Sequence, residues 1–313
     1  ITFPTHTFES FLPLEGTRRI IVYLPPDYDA NTEKRYPVLY MHDGQNVFEA
    51  GAFGSWRMQD ALQALYDANK TVGIVVGIDN GAGRMSEYTP FPNTPNALNP
   101  QGDNYLQAII DNVIPYINST YRTLTDRENT GICGSSLGGL ISYYAALKHE
   151  SVFGRIGAVS PSFWYCKDDL SDYIDAWTGT FVNNTKMYFI CGSDEGGSMT
   201  THFQPFYNKT MGKGYAEANM KYEVVEGGEH NEASWSQQIE RVYEFLFHDD
   251  TPTSLKAMET DANIVIVAQE NSLLLINKNE ITASFSLYDI SGKQSHKAMI
   301  EKDYSVSQLE RGI

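Results

Sequence analysis

The stretch Gly134-Ser135-Ser136-Leu137-Gly138 constrains this chain more than any other, because it has the Gly-x-Ser-x-Gly form between a short apolar run and a helix-like run. Residues 130–133 approach it as a strand would, and residues 139–147 leave it with helical rather than alternating periodicity. A serine on so sharp a strand-to-helix turn presents its hydroxyl at the tip, and flanking glycines let the two backbone segments pass without Cβ clashes. The helix that follows aims its N-terminal amides at the place where an oxyanion forms. Ser136 is thereby the candidate nucleophile, and the amide of Leu137 a candidate oxyanion donor. A Gly/Ser turn needs no catalysis by itself, so the reading depends on whether partners exist elsewhere.

Such a turn belongs in a layered α/β sheet, and the rest of the chain supplies one. Residues 20–24, 35–41, 71–78, 156–160, 186–192 and 222–225 read as strands, and residues 58–68, 105–121 and 234–246 as helices with an apolar face. The run at 71–78 is nearly continuous in β-branched residues, as in a parallel strand covered on both faces. The expected fold class is α/β, a mostly parallel sheet with helices on both faces, over residues 1–250. A linker follows at 251–260, then a small all-β module over 261–313, with short strands at 264–267, 273–276 and 285–288 and turns at Glu270-Asn271 and Ser291-Gly292.

Three strand ends carry polar loops. Residues 35–41 run into His42-Asp43-Gly44-Gln45-Asn46, where a glycine permits the close approach that an oxyanion amide needs. That amide is Gln45 or Gly44, with His42 and Asp43 as braces of the loop. Residues 186–192 deliver Ser193-Asp194-Glu195-Gly196-Gly197, and residues 222–225 deliver Glu226-Gly227-Gly228-Glu229-His230. A serine hydroxyl needs a neutral imidazole in reach, and the imidazole needs a carboxylate to hold its tautomer. In the α/β-hydrolase order these follow as Ser, acid, His, each after a strand. His202 comes too soon, His248 ends a helix and His296 lies in the tail, which leaves His230 as the candidate base. Asp194 and Glu195 are neighbours on one turn, and spacing does not separate them.

Residues 80–104 are rich in Asn, Pro and Gly and lack apolar period. A loop this long inside a domain is usually functional, so Arg84, Glu87, Tyr88 and Phe91 are candidate substrate contacts, a plain surface loop being the alternative. Trp164 follows the strand at 156–160, outside whose carboxyl end ligands bind in open α/β sheets, and reads either as a pocket wall or as a core aromatic. Trp235 is a further candidate contact.

At 313 residues the chain can bury a large core, and its formal net charge of -16 argues against nucleic acid or an anionic membrane as partner. No apolar run approaches the length of a membrane span. Cys133, Cys166 and Cys191 make no disulfide framework and no metal-ligand spacing, so they read as buried thiols. No metal and no organic cofactor is expected, and the oligomeric state is not written in the sequence.

With these residues assembled, residues 10–248 resemble the esterase D-like α/β-hydrolase family, which includes feruloyl and acetyl-xylan esterases, enterochelin esterase and S-formylglutathione hydrolase. The resemblance rests on Tyr36-Pro37-Val38-Leu39-Tyr40-Met41-His42-Asp43-Gly44, on Gly134-Ser135-Ser136-Leu137-Gly138-Gly139, on Ser160-Pro161-Ser162-Phe163-Trp164 and on Gly228-Glu229-His230. It implies Glu195 as the acid, with Asp194 in reserve, since family members often carry a Gly-Thr-x-acid turn that Gly192-Ser193-Asp194-Glu195 matches with Ser for Thr. It also implies acyl-ester hydrolysis, often of groups on plant polysaccharide. Residues 285–293, with Leu309-Glu310-Arg311-Gly312-Ile313, are similar to the sorting domain of type IX secretion, short of the strand with which that domain normally continues. That similarity implies a secreted or cell-surface protein.

The expected function is therefore serine carboxylic-ester hydrolysis through an acyl-enzyme, on acetyl or feruloyl esters of carbohydrates. An acyltransferase or thioesterase on the same residues is the nearer alternative, and a catalytically silent carbohydrate-binding protein on a hydrolase scaffold the more distant one.

Overall fold

The computed structural model describes residues 3–49, 51, 53–92, 99–179 and 185–248, together with the backbone of five further strands between 264 and 307. The chain divides into two compact units, Ile1–His248 and Asp249–Ile313.

In the first unit one eight-stranded sheet is built from β1 (Thr5–Phe8), β2 (Arg18–Tyr23), β3 (Val38–His42), β4 (Ile74–Ile78), β5 (Thr130–Ser135), β6 (Arg155–Val159), β7 (Lys186–Gly192) and β8 (Met220–Val225). Their order across the sheet is β1-β2-β4-β3-β5-β6-β7-β8. The two pairings at the β1 end are antiparallel and all the others parallel. The chain passes from β3 outward to β4 and then returns to β5 on β3's other side. The sheet therefore has a switch point between β3 and β5, where open α/β sheets form their crevice. The buried strands β3, β4, β5 and β7 have no exposed residue, which is why their sequences do not alternate apolar and polar.

Helices cover both faces. α1 (Met58–Asp67) and α9 (Ile239–Phe247) seal one face through Met58, Leu62, Leu65, Ile239, Val242 and Leu246. On the other face lie α3 (Gly102–Ala108), α4 (Ile114–Thr120), α5 (Leu137–Lys148), α6 (Lys167–Ala176) and α7 (Gly197–Met211), packed through Leu106, Ile109, Leu140, Ile141, Leu170 and Phe203. The short α2 (Arg84–Glu87) falls inside the stretch read as loop, and α8 (Glu232–Ser236) precedes α9.

Several expected elements differ in detail. The helix expected over 105–121 begins at Gly102 and widens into a π-helical turn at Ile109–Val113 before α4. Pro115, with no N–H and a ring that clashes with the carbonyl four residues earlier, accounts for the widening. The helix expected over 234–246 is two helices, α8 and α9. Neither β1, half-exposed with no apolar stripe, nor α6 and α7 announce themselves by a clean apolar period, α7 carrying Pro205 inside.

The three cysteines are free and buried, and burial pushes each thiol up to about 12, so they stay protonated and inert. Among the described residues no helix is long and apolar enough to cross a membrane. Nor, among them, does any group of three or more His, Cys, Asp or Glu side chains stand where a metal ion could be held.

In the second unit the antiparallel strands Ile264–Gln269, Ser272–Asn277 and Tyr304–Ser307 form one small sheet, and Ala283–Tyr288 with Gln294–Ile300 another. The linker expected at 251–260, the turns expected at 270–271 and 291–292 and the terminal 309–313 motif lie outside the described residues.

Candidate active site

Ser136 stands at the N-cap of α5 with φ 59° and ψ −123°, a conformation in which a non-glycine residue is strained by about 1–3 kcal/mol. The strain has a geometric cause. Strand and helix meet so closely here that a Cβ on Gly134 would lie 2.9 Å from His42 Cδ2 and 3.0 Å from the Gly138 carbonyl carbon. Glycine at 134 lets β5 and α5 close on each other and lift the serine hydroxyl out of the sheet, while a Cβ on Gly138 would crowd His42 Cβ at 3.3 Å. Ser136 Oγ lies 3.2 Å from Ser162 Oγ, and Ser162 N–H donates to the Ser136 carbonyl at 3.0 Å. The loop after β6 thus holds the tip of the turn. A Ser136–His230 hydrogen bond is not formed among the described residues, so the resting hydroxyl points to Ser162.

The loops after β7 and β8 are crossed over one another. Gly192 and Gly228 are in backbone contact, since a Cβ on Gly192 would fall 2.0 Å from the Gly228 oxygen. Asp194 N–H donates to that same oxygen at 2.9 Å. The crossing folds the histidine loop back over the end of β7 and brings His230 onto Glu195, with Nδ1 3.0 Å from Oε2. Glu195 is 1 % exposed in its side chain against 31 % for His230. Its other oxygen accepts from the Gly192 amide at 2.6 Å and from Ser160 Oγ at 2.5 Å. Asp194, the alternative acid, is exposed and takes a hydrogen bond from Ser193 Oγ at 2.9 Å.

Ser160 in turn accepts from Trp235 Nε1 at 2.9 Å, and the Trp235 ring meets the His230 ring edge-on at 5.1 Å. Trp235, Ser160, Glu195 and His230 close a ring of contacts behind the imidazole. Trp235, expected as a substrate contact, is 6 % exposed, with its indole N–H already committed to Ser160. Ser160→Ala should lower kcat roughly tenfold, because the carboxylate loses a charge-assisted donor. It should also cost about 1–3 kcal/mol of stability by leaving the buried Trp235 N–H without an acceptor. Ester turnover and urea unfolding read the two effects, and wild-type values of both would contradict this geometry.

The turn expected to supply an oxyanion amide is the 3₁₀ turn Gly44–Asn46 at the end of β3. Gly44 is buried, with the backbone of Gly77 and Ile78 against it, and Gln45 is the half-buried member. Asp43, left-handed at φ 55°, caps the turn and is gripped by Arg84, whose Nε and Nη2 reach Oδ1 and Oδ2 at 2.7 and 2.8 Å. Asn80 Nδ2 adds a bond of 2.6 Å to Asp43, and Asp43 N–H donates to the Tyr88 hydroxyl at 3.2 Å. Arg84 and Tyr88, expected as substrate contacts, are both engaged with Asp43. The first is forked onto Asp43 and the second is fully buried, so both hold the turn from behind. Glu87 pairs with Arg18 at 3.0 Å in the interior, and Phe91 packs on Tyr144 and Tyr173. Trp164 is the expected contact that stays outside, 41 % exposed, its Nε1 donating to Met199 Sδ and its chain two residues past Ser162. A recess of about 250 Å³ between α6 and α7, walled by Lys167, Ser171, His202, Phe206 and Lys209, contains none of Ser136, Glu195 or His230.

His42 lies under the serine turn, with Nδ1 2.8 Å from the Tyr105 hydroxyl and Nε2 buried without a partner among the described residues. Burial pushes its pKa down to about 3, against the pull of Asp43. The unfolded chain takes up this proton below about 6.5 while the folded chain refuses it until about 3, so stability falls with acidification through that window. The slope from this residue should approach about 1.4 kcal/mol per pH unit. Urea unfolding between pH 7 and 5 should show it, and His42→Asn should flatten it; an unaltered slope would refute the assignment.

A family model described as "Putative esterase" matches residues 13–245. The chain belongs to this esterase family. It is a carboxylic-ester hydrolase, on an α/β-hydrolase sheet. The esterase is 27 % identical over 251 residues to the "Uncharacterized protein YbbA" of Bacillus subtilis, covering 76 % of this chain and 96 % of that one. It is 26 % identical over 242 residues to an endo-1,4-beta-xylanase/feruloyl esterase of Xylanibacter ruminicola, covering 72 % of this chain but 29 % of that one. The esterase thus spans under a third of that larger protein. A solved ferulic acid esterase shares its fold with a TM-score of 0.60 at 20 % identity, over 79 % of this chain and 97 % of the other.

Proposed function

We propose that Ser136, His230 and Glu195 form the catalytic triad of this esterase, with the amides of Leu137 and of Gln45 or Gly44 as oxyanion hole. The observation that carries the reading is the Glu195–His230 hydrogen bond, formed by two loops that cross at the carboxyl end of the sheet that also bears the strained Ser136 turn. In the first step His230 Nε2 takes the proton of Ser136 Oγ as that oxygen bonds to the ester carbonyl carbon. The oxyanion collapses, the alcohol leaves with the proton returned by His230, and an acyl-enzyme remains. Water then gives a proton to His230 and its oxygen to the acyl carbon, releasing the acid and restoring Ser136. Glu195 holds Nδ1–H throughout and stabilises the imidazolium. Each oxyanion donor is worth about 3 kcal/mol of barrier.

The substrate class is acyl esters of carbohydrates, acetyl or feruloyl. What supports it is the xylanase/feruloyl esterase relative and the exposed indole of Trp164, two residues past the Ser162 that holds the serine turn, a surface suited to a sugar or an aromatic acyl group. The same reading has the enzyme secreted or held at the cell surface, on the likeness of its terminal residues to a sorting domain. A fluorophosphonate should label Ser136 alone, read by mass mapping, and rates on acetyl, feruloyl and short aryl esters should favour a sugar ester. A labelled residue other than Ser136, or none, would end the triad assignment. Faster transfer to glutathione or a sugar than to water would replace hydrolysis by acyl transfer.

A further inference from the structure

The proposed oxyanion turn and the proposed general base are delivered by β3 and β8, which are not neighbours: β5, β6 and β7 lie between them. At about 4.8 Å per strand the two strands stand roughly 19 Å apart. The sheet therefore does not set the distance between the two loops, although one attacked ester must meet both. Among the described residues one side-chain hydrogen bond joins them directly. Asn46 Nδ2, on the last residue of the 3₁₀ turn, donates to Glu232 Oε1 at 3.1 Å.

Both ends of this tie are anchored. Asn46 N–H donates to the Asp43 carbonyl at 2.9 Å, and the Asn46 carbonyl accepts from Trp56 N–H at 2.7 Å. Glu232 opens α8 two residues beyond His230, and Asn231 caps that helix by accepting from Ser234 N–H at 2.9 Å. The partners are 5 % and 8 % exposed. A Cβ on Gly54 would come within 3.2 Å of Glu232 Cβ, so Gly54 packs closely against the stem of Glu232. Burial raises the pKa of Glu232, and the bond from Asn46 draws it back. A buried carboxylate is a costly adhesive where packing alone would serve, and its position bridging two loops gives it a task that an apolar side chain lacks.

We propose that Glu232 is a positioning residue of the esterase reaction, holding the oxyanion turn at a set distance from His230 through Asn46. The inference rests on the roles proposed for Ser136, His230 and the 44–46 turn. Because the tie orders groups that act on the transition state, its loss falls on kcat and spares KM. A displacement of order 1 Å costs about 10²-fold.

Glu232→Ala and Asn46→Ala should each lower kcat about 10- to 100-fold with KM within about twofold, and the double variant should be no worse than either single one. Glu232→Gln keeps the accepting oxygen and should retain most activity. Asn46→Asp sets two carboxylates against each other and should lose kcat without opening a cavity. Asn46→Asp combined with Glu232→Gln restores a donor–acceptor pair with the roles exchanged, and should recover it. This swap serves as the test if the alanine variants fail to fold, folding being read by circular dichroism. Wild-type kcat in the two alanine variants or in Asn46→Asp, additive losses in the double alanine variant, or no recovery in the swap would each overturn the proposal. Ser136→Ala assayed beside them separates the two questions. Its retained activity would remove the triad reading, whereas its loss with unaffected tie variants removes only the role of Glu232.

Discussion

Ser136→Ala is expected to lower kcat on an activated aryl acetate by about 10⁵- to 10⁶-fold, leaving only what binding and the oxyanion amides contribute. The fold should be unaffected. Serine and alanine carry the same Cβ, so the strained φ of 59° costs both alike. The hydroxyl's hydrogen bond to Ser162 is part-exposed, which limits the change in unfolding free energy to about 1 kcal/mol. Stopped-flow or steady-state turnover measured beside urea unfolding separates the two. Residual activity within tenfold of wild type would show that another nucleophile does the chemistry.

The second large effect discriminates between neighbours. Glu195→Gln should lower kcat by about 10³- to 10⁴-fold, because an amide nitrogen facing His230 Nδ1 forces the ring into the tautomer whose Nε2 carries a proton and accepts none. Gly192 N–H and Ser160 Oγ, which donate to the other Glu195 oxygen, can still donate to the glutamine oxygen, so the variant should fold. Asp194→Asn should stay within about twofold of wild type, since an exposed group bonded to its neighbour's hydroxyl contributes little. A large loss in Asp194→Asn with Glu195→Gln near wild type would reverse the assignment. Equal losses in both would show that the turn, and not one carboxylate, is what matters.

Much of the frame was readable from local pattern. The apolar runs ending in glycine-bearing polar loops identify β3, β5, β7 and β8, and the serine turn declares its own geometry, because strand, tight turn and helix follow one another within a few residues. Ser160 and Ser162 went unread as site members, although their place just past a strand between nucleophile and acid was a usable signal. Glu232 and Asn46 carried no such signal, since a bond across 186 positions leaves no period. Arg84, Tyr88 and Trp235 were read as contacts for substrate because polar and aromatic residues near a site suggest one. Their neighbours in space, Asp43 and Ser160, come from other loops.

By itself the sequence determined what contiguous residues can encode: an α/β sheet, a serine raised on a strand-to-helix turn, and acidic and histidine loops at later strand ends. The tertiary structure alone decided which side chains those loops turn inward. Glu195 faces His230 while Asp194 faces solvent because Gly192 and Gly228 let two loops cross in backbone contact. Trp235 became a brace because β6 ends where its indole N–H needs an acceptor. Periodicity reports the face a residue presents within its own element, whereas partnership across loops depends on how distant elements pack.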